Sequence, residues 1–532
     1  LHIVDRMAVV FTLFSCAEHG ISRLFPMRPF LFKLNEEEQL PQREYPSLTY
    51  WLREEFVRRK LESPFGYLLL CSLAMVFAWQ IGTYGWVSGA IWLVALQFIP
   101  LLLASMFNLR FGLYLSIFSA FTLMGLKKIT GNLPLGIFLD ASILFMIFGL
   151  YLRQIRRRDW RATFHIFTVG IVAWLTFNFI QLFNPNSPSQ VAWLYEVRDT
   201  ALRMMFFFVP LYALTRLDQL ERVAKFWILL TSLGALYAII QEIFGLMPFE
   251  EIWIMQQVEE FERLMLDGKV RNFSFFATPG IMGMLMAGTS VFCLPLFFLP
   301  GLSRWEKGVL AVCVALMWMA MFLSGTRTAF VVLPLGFLFL LTLSFNKKLI
   351  PFGIAIFAFG LILFFVPLDN PNLQRYRSTF RPTAANSLQE RLQNQEYIKP
   401  YIQAHPMGVG LGITGKRGQQ FSPFKLISEF RPKGGYVHIA IEMGWIGLLL
   451  YLGLLFMVMY VGVRNYFKIR NLRLRTWILA FLGALFVLII GNYSQNPLMN
   501  LPTSLFFYLG MAAIVLLRRF DNKNLAFDPF KW

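Results

Sequence analysis

Residues 308–344 read GVLAVCVALMWMAMFLSGTRTAFVVLPLGFLFLLTLS, and Arg327 is the single charged side chain among them. The stretch divides into two apolar runs, 308–323 and 328–344, each close to the roughly 20 helical residues that cross a bilayer core of about 30 Å. Within hydrocarbon every backbone N–H and C=O must find a partner inside the protein, which an apolar run of this kind achieves as a helix. Two such helices joined by the turn Ser324-Gly-Thr-Arg327 decide the class: an all-α, polytopic integral membrane protein.

The rest of the chain agrees. Of its 532 residues 57% are apolar and 15% charged, with 57 Phe, 14 Trp and a mean hydropathy of +0.56. Soluble domains carry about 25% charged residues, so the composition excludes a cytosolic enzyme and a disordered protein. It also excludes a disulfide-stapled secreted domain. The cysteines are Cys16, Cys71, Cys293 and Cys313. They form no CxxC, and the last three lie in apolar runs as small buried residues.

Working outward from residues 308–344, candidate spans fall near 65–83, 87–107, 111–126, 134–152, 163–183, 200–216, 226–246, 279–299, 350–367, 436–463, 476–493 and 501–517. That gives about 14 transmembrane helices, with 12–14 as the range. Loops 153–161 and 464–475 are strongly basic, as are those near 216–225, 304–307 and 347–348. With fourteen spans and both termini cytoplasmic, all of them fall on the cytoplasmic side. The formal net charge of +19 is then mostly topogenic and gives no reason to expect nucleic acid.

The expected organisation follows. Residues 1–63 form a cytoplasmic N-terminal segment with a basic interfacial helix over 49–62, the natural start being Met7 or Met27. Residues 64–247 form an N-terminal transmembrane bundle, and 248–278 an external amphipathic loop. There Ile252, Met255, Val258, Phe261 and Met265 share one helical stripe. Residues 279–367 are central transmembrane helices holding the Arg327 turn. Residues 368–435 are a large external loop, of a length that is usually functional. Residues 436–517 are the C-terminal transmembrane helices, and 518–532 a cytoplasmic tail.

Ionisable groups at membrane depth are costly and mark candidate sites. Arg327 stands at the outward start of a helix whose first N–H groups point the same way, an arrangement that suits an anion. The competing reading is an arginine snorkelling to lipid phosphates. His438 and Glu442 lie four apart, on one helix face. They make either a base oriented by a carboxylate or a capped interfacial histidine. A metal site needs more ligands than these, so no metal is expected. His405, before Pro406, reads as structural. The large loop carries many Lys and Arg, including Arg391, either as a solvated surface or as a basic face for phosphate-bearing lipid or glycan. Asp140, Glu242 and the pair Asp199–Arg203 read as structural. No P-loop, GxSxG or HExxH is present.

Four segments in order carry a family resemblance. Arg271-Asn-Phe-Ser-Phe-Phe-Ala-Thr-Pro-Gly280 is similar to an Arg-x-x-Gly-Phe-x-x-Pro-Asn element. Ser324-Gly-Thr-Arg327-Thr-Ala resembles a Ser-x-Ser-Arg-Gly-Ala turn. Arg391-Leu followed by His405-Pro-Met-Gly408-Val-Gly410-Leu-Gly412 resembles an arginine helix and its glycine stretch. His438-Ile-Ala-Ile-Glu442-Met-Gly-Trp-Ile-Gly447 is similar to a His…Glu-x-Gly-x-x-Gly helix, with shorter His-to-Glu spacing. Together they resemble the O-antigen ligase and O-antigen polymerase family of bacterial membrane glycosyltransferases. The departures are Thr278-Pro-Gly in place of Asn-Pro-Asn and Gln395 where an aromatic is usual.

The resemblance implies a GT-C-like fold in the bacterial inner membrane with a periplasmic large loop. It implies metal-independent, inverting transfer of a glycan from undecaprenyl pyrophosphate to a sugar hydroxyl of lipid A-core, with no cofactor. Under it Arg327, Arg271 and Arg391 meet the pyrophosphate and His438 is the base, supported by Glu442. Gly408, Gly410 and Gly412 let the backbone approach the substrate. Polymerisation of lipid-linked repeats and transfer onto protein are the alternatives within the family. A lipid-linked glycan flippase, or a purely structural membrane partner, is the alternative outside it.

Overall fold

The computed structural model describes residues 64–84, 98–130, 135–256, 264–266, 269–345, 347, 350–365, 371–379, 386–421, 430, 432 and 434–521. The expected interfacial helix at 49–62, the rest of 1–63, the tail beyond 521 and parts of the large loop lie outside the described residues. Contacts divide the chain into two units, Leu1–Pro100 and Leu101–Trp532. In the first, the uncharged helix Pro64–Tyr84 covers the expected first span.

The described residues hold ten helices long and apolar enough to cross a membrane, among them Leu109–Thr130, Gly136–Arg157, Leu217–Phe244, Arg304–Leu323 and Arg327–Ser344. The chain is therefore a multi-pass membrane protein. At the centre of the second unit stands Pro279–Leu296, every residue of it buried. It packs on Arg304–Leu323, Arg327–Ser344 and Leu472–Gly491. Lipid tails are as apolar as leucine, so close helix approach has to come from small residues and shape. This helix contains Gly280, Gly283, Ala287, Gly288 and Ser290. On the outer helices Phe148, Val169, Phe179, Leu449 and Phe456 are exposed, as expected of surfaces that face lipid tails.

Two expected spans differ from the helices observed. Residues 200–216 do not form one helix: a 3₁₀ segment Leu202–Phe207 runs into the short helix Phe208–Ala213. Pro210 lacks the N–H that a continuing helix interior would need. The run 436–463 is two helices, Gly435–Glu442 and Gly444–Lys468. Gly444 breaks it by adopting φ +71°, where a Cβ would strike the Pro406 carbonyl. Where the sequence led to a surface helix from Pro248, a helix runs over Pro248–Gln256. Met265 of the predicted stripe belongs instead to a small hairpin, Met265–Leu266 paired with Lys269–Val270.

Ion pairs and hydrogen bonds tie the basic loops together at one end of the bundle. Arg473 pairs with Glu221 at 2.6 Å and Lys225 with Glu306 at 3.8 Å. Arg518 donates to the Lys468 carbonyl and Arg519 to that of Ala162. The candidate site residues are linked by a separate set of contacts.

Candidate functional site

Segments distant in sequence meet around a glycine-rich loop. Helix Gly435–Glu442 ends with carbonyls that lack intrahelical donors, and the loop supplies them: Val409 N–H donates to Ile441 O and Gly410 N–H to Glu442 O, each at 3.0 Å. Gly408, Gly410 and Gly412 all have positive φ. A Cβ would meet Ser187 at Gly410 and the Ala192 carbonyl at Gly412. Side chains would strain the loop and push it off its neighbours. From the other side Gln181 and Asn184 donate to the Met407 carbonyl, and Asn184 and Asn186 to that of Gly408. Residues 181–192 are therefore one wall of the loop, a role that no motif in the sequence announces.

Glu442 anchors this assembly. It is 1% exposed, and its Oε2 accepts from Gly412 N–H at 3.0 Å. Its Oε1 accepts from the Thr414 N–H at 3.2 Å and the Thr414 hydroxyl at 2.6 Å. His438 Nε2 lies 3.1 Å from the same Oε1, with the imidazole half-buried. Burial alone would push the carboxyl up, but the His438 charge and these donors hold it below the usual glutamate value. The helical spacing read from sequence thus becomes a direct contact. A third group joins it: Glu196, on helix Gln190–Thr200, offers a carboxylate oxygen within 4.8 Å of the His438 and Glu442 ligand atoms. The trio has the spacing of a metal site. Even so, both Glu442 oxygens already accept N–H or O–H donors, which fits a hydrogen-bonding anchor better than a ligand.

Arg271 and Arg327 are brought together on a second set of helix ends. Arg271 sends Nε and Nη2 to the Ser324 carbonyl at 3.0 and 2.8 Å, and Nη2 also reaches the Thr326 hydroxyl at 3.1 Å. That hydroxyl in turn donates to Pro279 O. Arg271 thereby pins the turn between Arg304–Leu323 and Arg327–Ser344 to the head of the central helix. Thr326, the N-cap residue, makes no side-chain cap. Arg327 is half-buried, as the first residue of its helix. Burial, with the Arg375 and Arg327 charges nearby, lowers the Arg271 pKa to about 9.

Arg375 is thus a third cation at this turn, one that sequence reasoning did not separate from the other basic residues of the large loop. It sits on helix Pro371–Thr379. That helix is fastened by Tyr376 O–H to Gly360 O and Arg377 Nε to Phe364 O, each at 3.0 Å. Arg391 falls on helix Asn386–Ala404, and its side chain lies outside the described residues.

The short loop 492–495 bridges the two sets. The Ser494 and Thr328 hydroxyls are in contact at the head of the Arg327 helix. The carbonyls of Asn492 and Gln495 accept from Gly435 N–H at 2.8 and 3.1 Å, at the head of the His438 helix. The sequence signal was available: Asn492-Tyr-Ser-Gln-Asn496 is a polar run between apolar segments. Alongside lies a cavity of about 570 Å³, lined by Leu392, Ile398, Ile402, Tyr436, Val437 and Leu448 among others. Asp140, which had no evident neighbour in the sequence, lies 3.5 Å from both Arg198 and Arg203, and Arg203 also binds Asp199 at 2.6 Å.

Residues 312–452 match the family model for O-antigen ligase. The matched stretch contains Arg327, Arg391, the three glycines, His438 and Glu442, and leaves out Arg271 and Glu196. No curated protein matches the chain. The protein is a polytopic membrane protein carrying an O-antigen ligase family domain.

Proposed function

We propose that this protein is a membrane glycosyltransferase that moves a glycan from undecaprenyl pyrophosphate to a sugar hydroxyl of lipid A-core. On this proposal the large loop and the Arg327 and His438 helix heads face the periplasm, between an N-terminal and a C-terminal transmembrane bundle. The observation that carries the reading joins two parts of the matched domain through a loop outside it. A half-buried imidazole, held 3.1 Å from a buried carboxylate, stands across one short loop from an arginine turn. Base and cations are the two things that the chemistry needs.

In the reaction the acceptor oxygen forms a bond to the anomeric carbon as the bond from that carbon to the pyrophosphate oxygen breaks. The pyrophosphate leaves with the electron pair, and the acceptor proton passes to His438. Attack opposite the leaving group inverts the anomeric centre. Arg327 and Arg391 are assigned to the developing phosphate charge, where fixed cations act without reorganising. Arg271 is assigned a dual place, touching the pyrophosphate field while holding the Ser324 turn. Gly408, Gly410 and Gly412 bring the backbone close to the glycan, and Glu442 supports the base. No metal is required for these roles. The cavity beside Val437 and Leu448, lined mostly by apolar side chains but also by Gln395, Glu396, Lys399 and Gln403, suits part of a polyprenyl chain.

Polymerisation of lipid-linked repeats uses the same groups and differs in the acceptor alone. The test is reconstitution of the purified protein in liposomes with undecaprenyl-pyrophosphate glycan, offered either lipid A-core or a second lipid-linked repeat. Glycan on lipid A-core is expected. Glycan on the repeat alone would make the protein a polymerase. Movement of intact lipid-linked glycan across the bilayer, without transfer, would replace the enzyme by a flippase.

A further inference from the structure

Helix Gln190–Thr200 lies outside every sequence motif and outside the matched family domain, yet it delivers an acid to the imidazole. Glu196 is 6% exposed. Its carboxylate, a His438 ring nitrogen and a Glu442 carboxylate oxygen all lie within 4.8 Å of one another. The helix that carries it is held firmly. Ser189 caps its start, Trp193 Nε1 donates to Asn178 O at 2.8 Å, and Thr200 Oγ1 donates to Asn178 Oδ1 at 3.0 Å. Trp174 Nε1 donates to Thr200 O at 2.9 Å. A buried carboxylate beside a second one is unfavourable unless positive charge sits between or beside them.

Glu442 is committed to Gly412 and Thr414, so its position follows the glycine loop. Glu196 comes from a different element and approaches the same ring. Two carboxylates from two anchored elements define where the imidazole can sit, and both favour its protonated form.

We propose that Glu196 is a positioning residue of the transfer reaction, acting through His438. It holds the ring with Glu442 and stabilises the imidazolium that forms when the acceptor hydroxyl yields its proton. The step balances: the acceptor O–H proton moves to the imidazole while the new C–O bond forms and the pyrophosphate leaves with its electron pair. The imidazolium then releases the proton to the departing pyrophosphate or to water. This inference rests on the reading of His438 as the base.

The experiment uses the full-length protein in liposomes with undecaprenyl-pyrophosphate glycan and lipid A-core, scored per folded, monodisperse molecule. Glu196→Gln is expected to lower kcat by about 10–100-fold, below the 10²–10⁴ typical of losing the acid–base group itself. The KM for the donor should stay within about twofold, and Glu196→Asp should recover part of kcat. A kcat within about twofold of the parent in Glu196→Gln, with His438→Ala inactive, would overturn the role of Glu196 and leave the base assignment standing. An active His438→Ala would remove the base reading and this inference with it. Should Glu196→Gln insert poorly, Glu196→Asp decides. A lower kcat at unchanged KM supports positioning, whereas lost folded protein with unchanged activity per folded molecule makes Glu196 purely structural.

Discussion

The arginine turn and the imidazole helix are built on the same plan with opposite charge. On each side an ionised residue, buried at Glu442 and half-buried at Arg271, is bound to backbone groups beside a half-buried neighbour. Arg271 grips the Ser324 carbonyl beside Arg327, and Glu442 grips the Gly412 and Thr414 amides beside His438. What differs is the company. Cations gather at the turn, where burial and then the Arg375 and Arg327 charges depress Arg271. Acids gather at the helix, where Glu196 and Glu442 flank His438. Like charges crowded together are costly until an opposite charge arrives. The turn is therefore suited to an anion brought by a ligand, and the helix to a proton taken from one.

The sharpest way to break this comparison is to remove the half-buried member of each side. Arg327→Ala and His438→Ala should each cut glycan transfer by about 10²–10⁴-fold while membrane insertion stays normal. Arg327→Lys should recover little, because an ammonium lacks the planar fork that meets two phosphate oxygens together. Transfer assays in liposomes, with protein levels checked by immunoblot of membranes, give the answer. Full activity in both alanine variants would dissolve the site.

The glycine loop comes next. Gly410→Ala and Gly412→Ala each ask a Cβ to enter space held by Ser187 or the Ala192 carbonyl, at a backbone conformation that L-residues rarely adopt. Each should lower the thermal stability by about 1–3 kcal/mol and reduce transfer more than tenfold. Widening the opposing wall with Ser187→Gly should restore part of the Gly410→Ala loss, because the clash there is with the serine side chain. At Gly412 the obstacle is a backbone carbonyl, so no side-chain change on that wall should rescue it. Melting curves and transfer rates of the single and double variants test both statements.

These elements were unevenly legible. The Arg327 turn, the paired helices around it and the His438–Glu442 spacing are local patterns, and hydropathy and helical period reveal such patterns directly. The broken span at 202–213 and the break at Gly444 were hidden because each lies inside an apolar run. There the deciding facts are Pro210 and a positive φ whose purpose is contact with Pro406. Glu196 was illegible for a different reason. It stands far from His438 in the chain and reaches it only through the folding of residues 181–200 against the glycine loop. Arg375 was visible as one basic residue among many. Its place beside Arg271, on a helix seated on Gly360 and Phe364, singles it out.

A smaller effect separates the two anchors. The Glu442 carboxylate is held below its ordinary value, so it contributes stability that is fully present above the unfolded glutamate pKa. That contribution is lost as pH falls through the lower folded value. Acidification from neutrality to below the usual carboxylate range should therefore loosen the glycine loop, and Glu442→Gln should flatten that part of the pH–stability curve. Removing the charge-assisted bonds should cost about 1–3 kcal/mol near neutral pH. Arg271 contributes no such limb: burial and the neighbouring cations hold its folded value, near 9, below that of the unfolded chain, so its shift is the cost of a buried charge and not a stability that a change of pH removes. Melting temperatures across pH 4–8 for the parent, Glu442→Gln and Arg271→Gln test this: Glu442→Gln alone should flatten the acidic limb.

The least effect is expected from chelation. Glu196, His438 and Glu442 have the spacing of a three-ligand cation site, so a divalent ion could in principle bridge the acids that crowd the imidazole. Such an ion would need lone pairs from Glu442, and its Oε1 already accepts the Thr414 amide and hydroxyl while Oε2 accepts Gly412 N–H. Binding a cation through Oε1 would mean giving up part of the bonding that fixes the glycine loop, which leaves Oε2 alone with room for a ligand bond. In the proposed reaction the pyrophosphate has the guanidiniums of the arginine turn to meet. Treatment of the purified, reconstituted protein with EDTA should therefore leave the transfer rate within about twofold of the untreated sample. Complete loss that zinc or magnesium restores would reverse the comparison: the acidic side would then be a cation site, and Glu196 a ligand instead of a partner of the imidazolium.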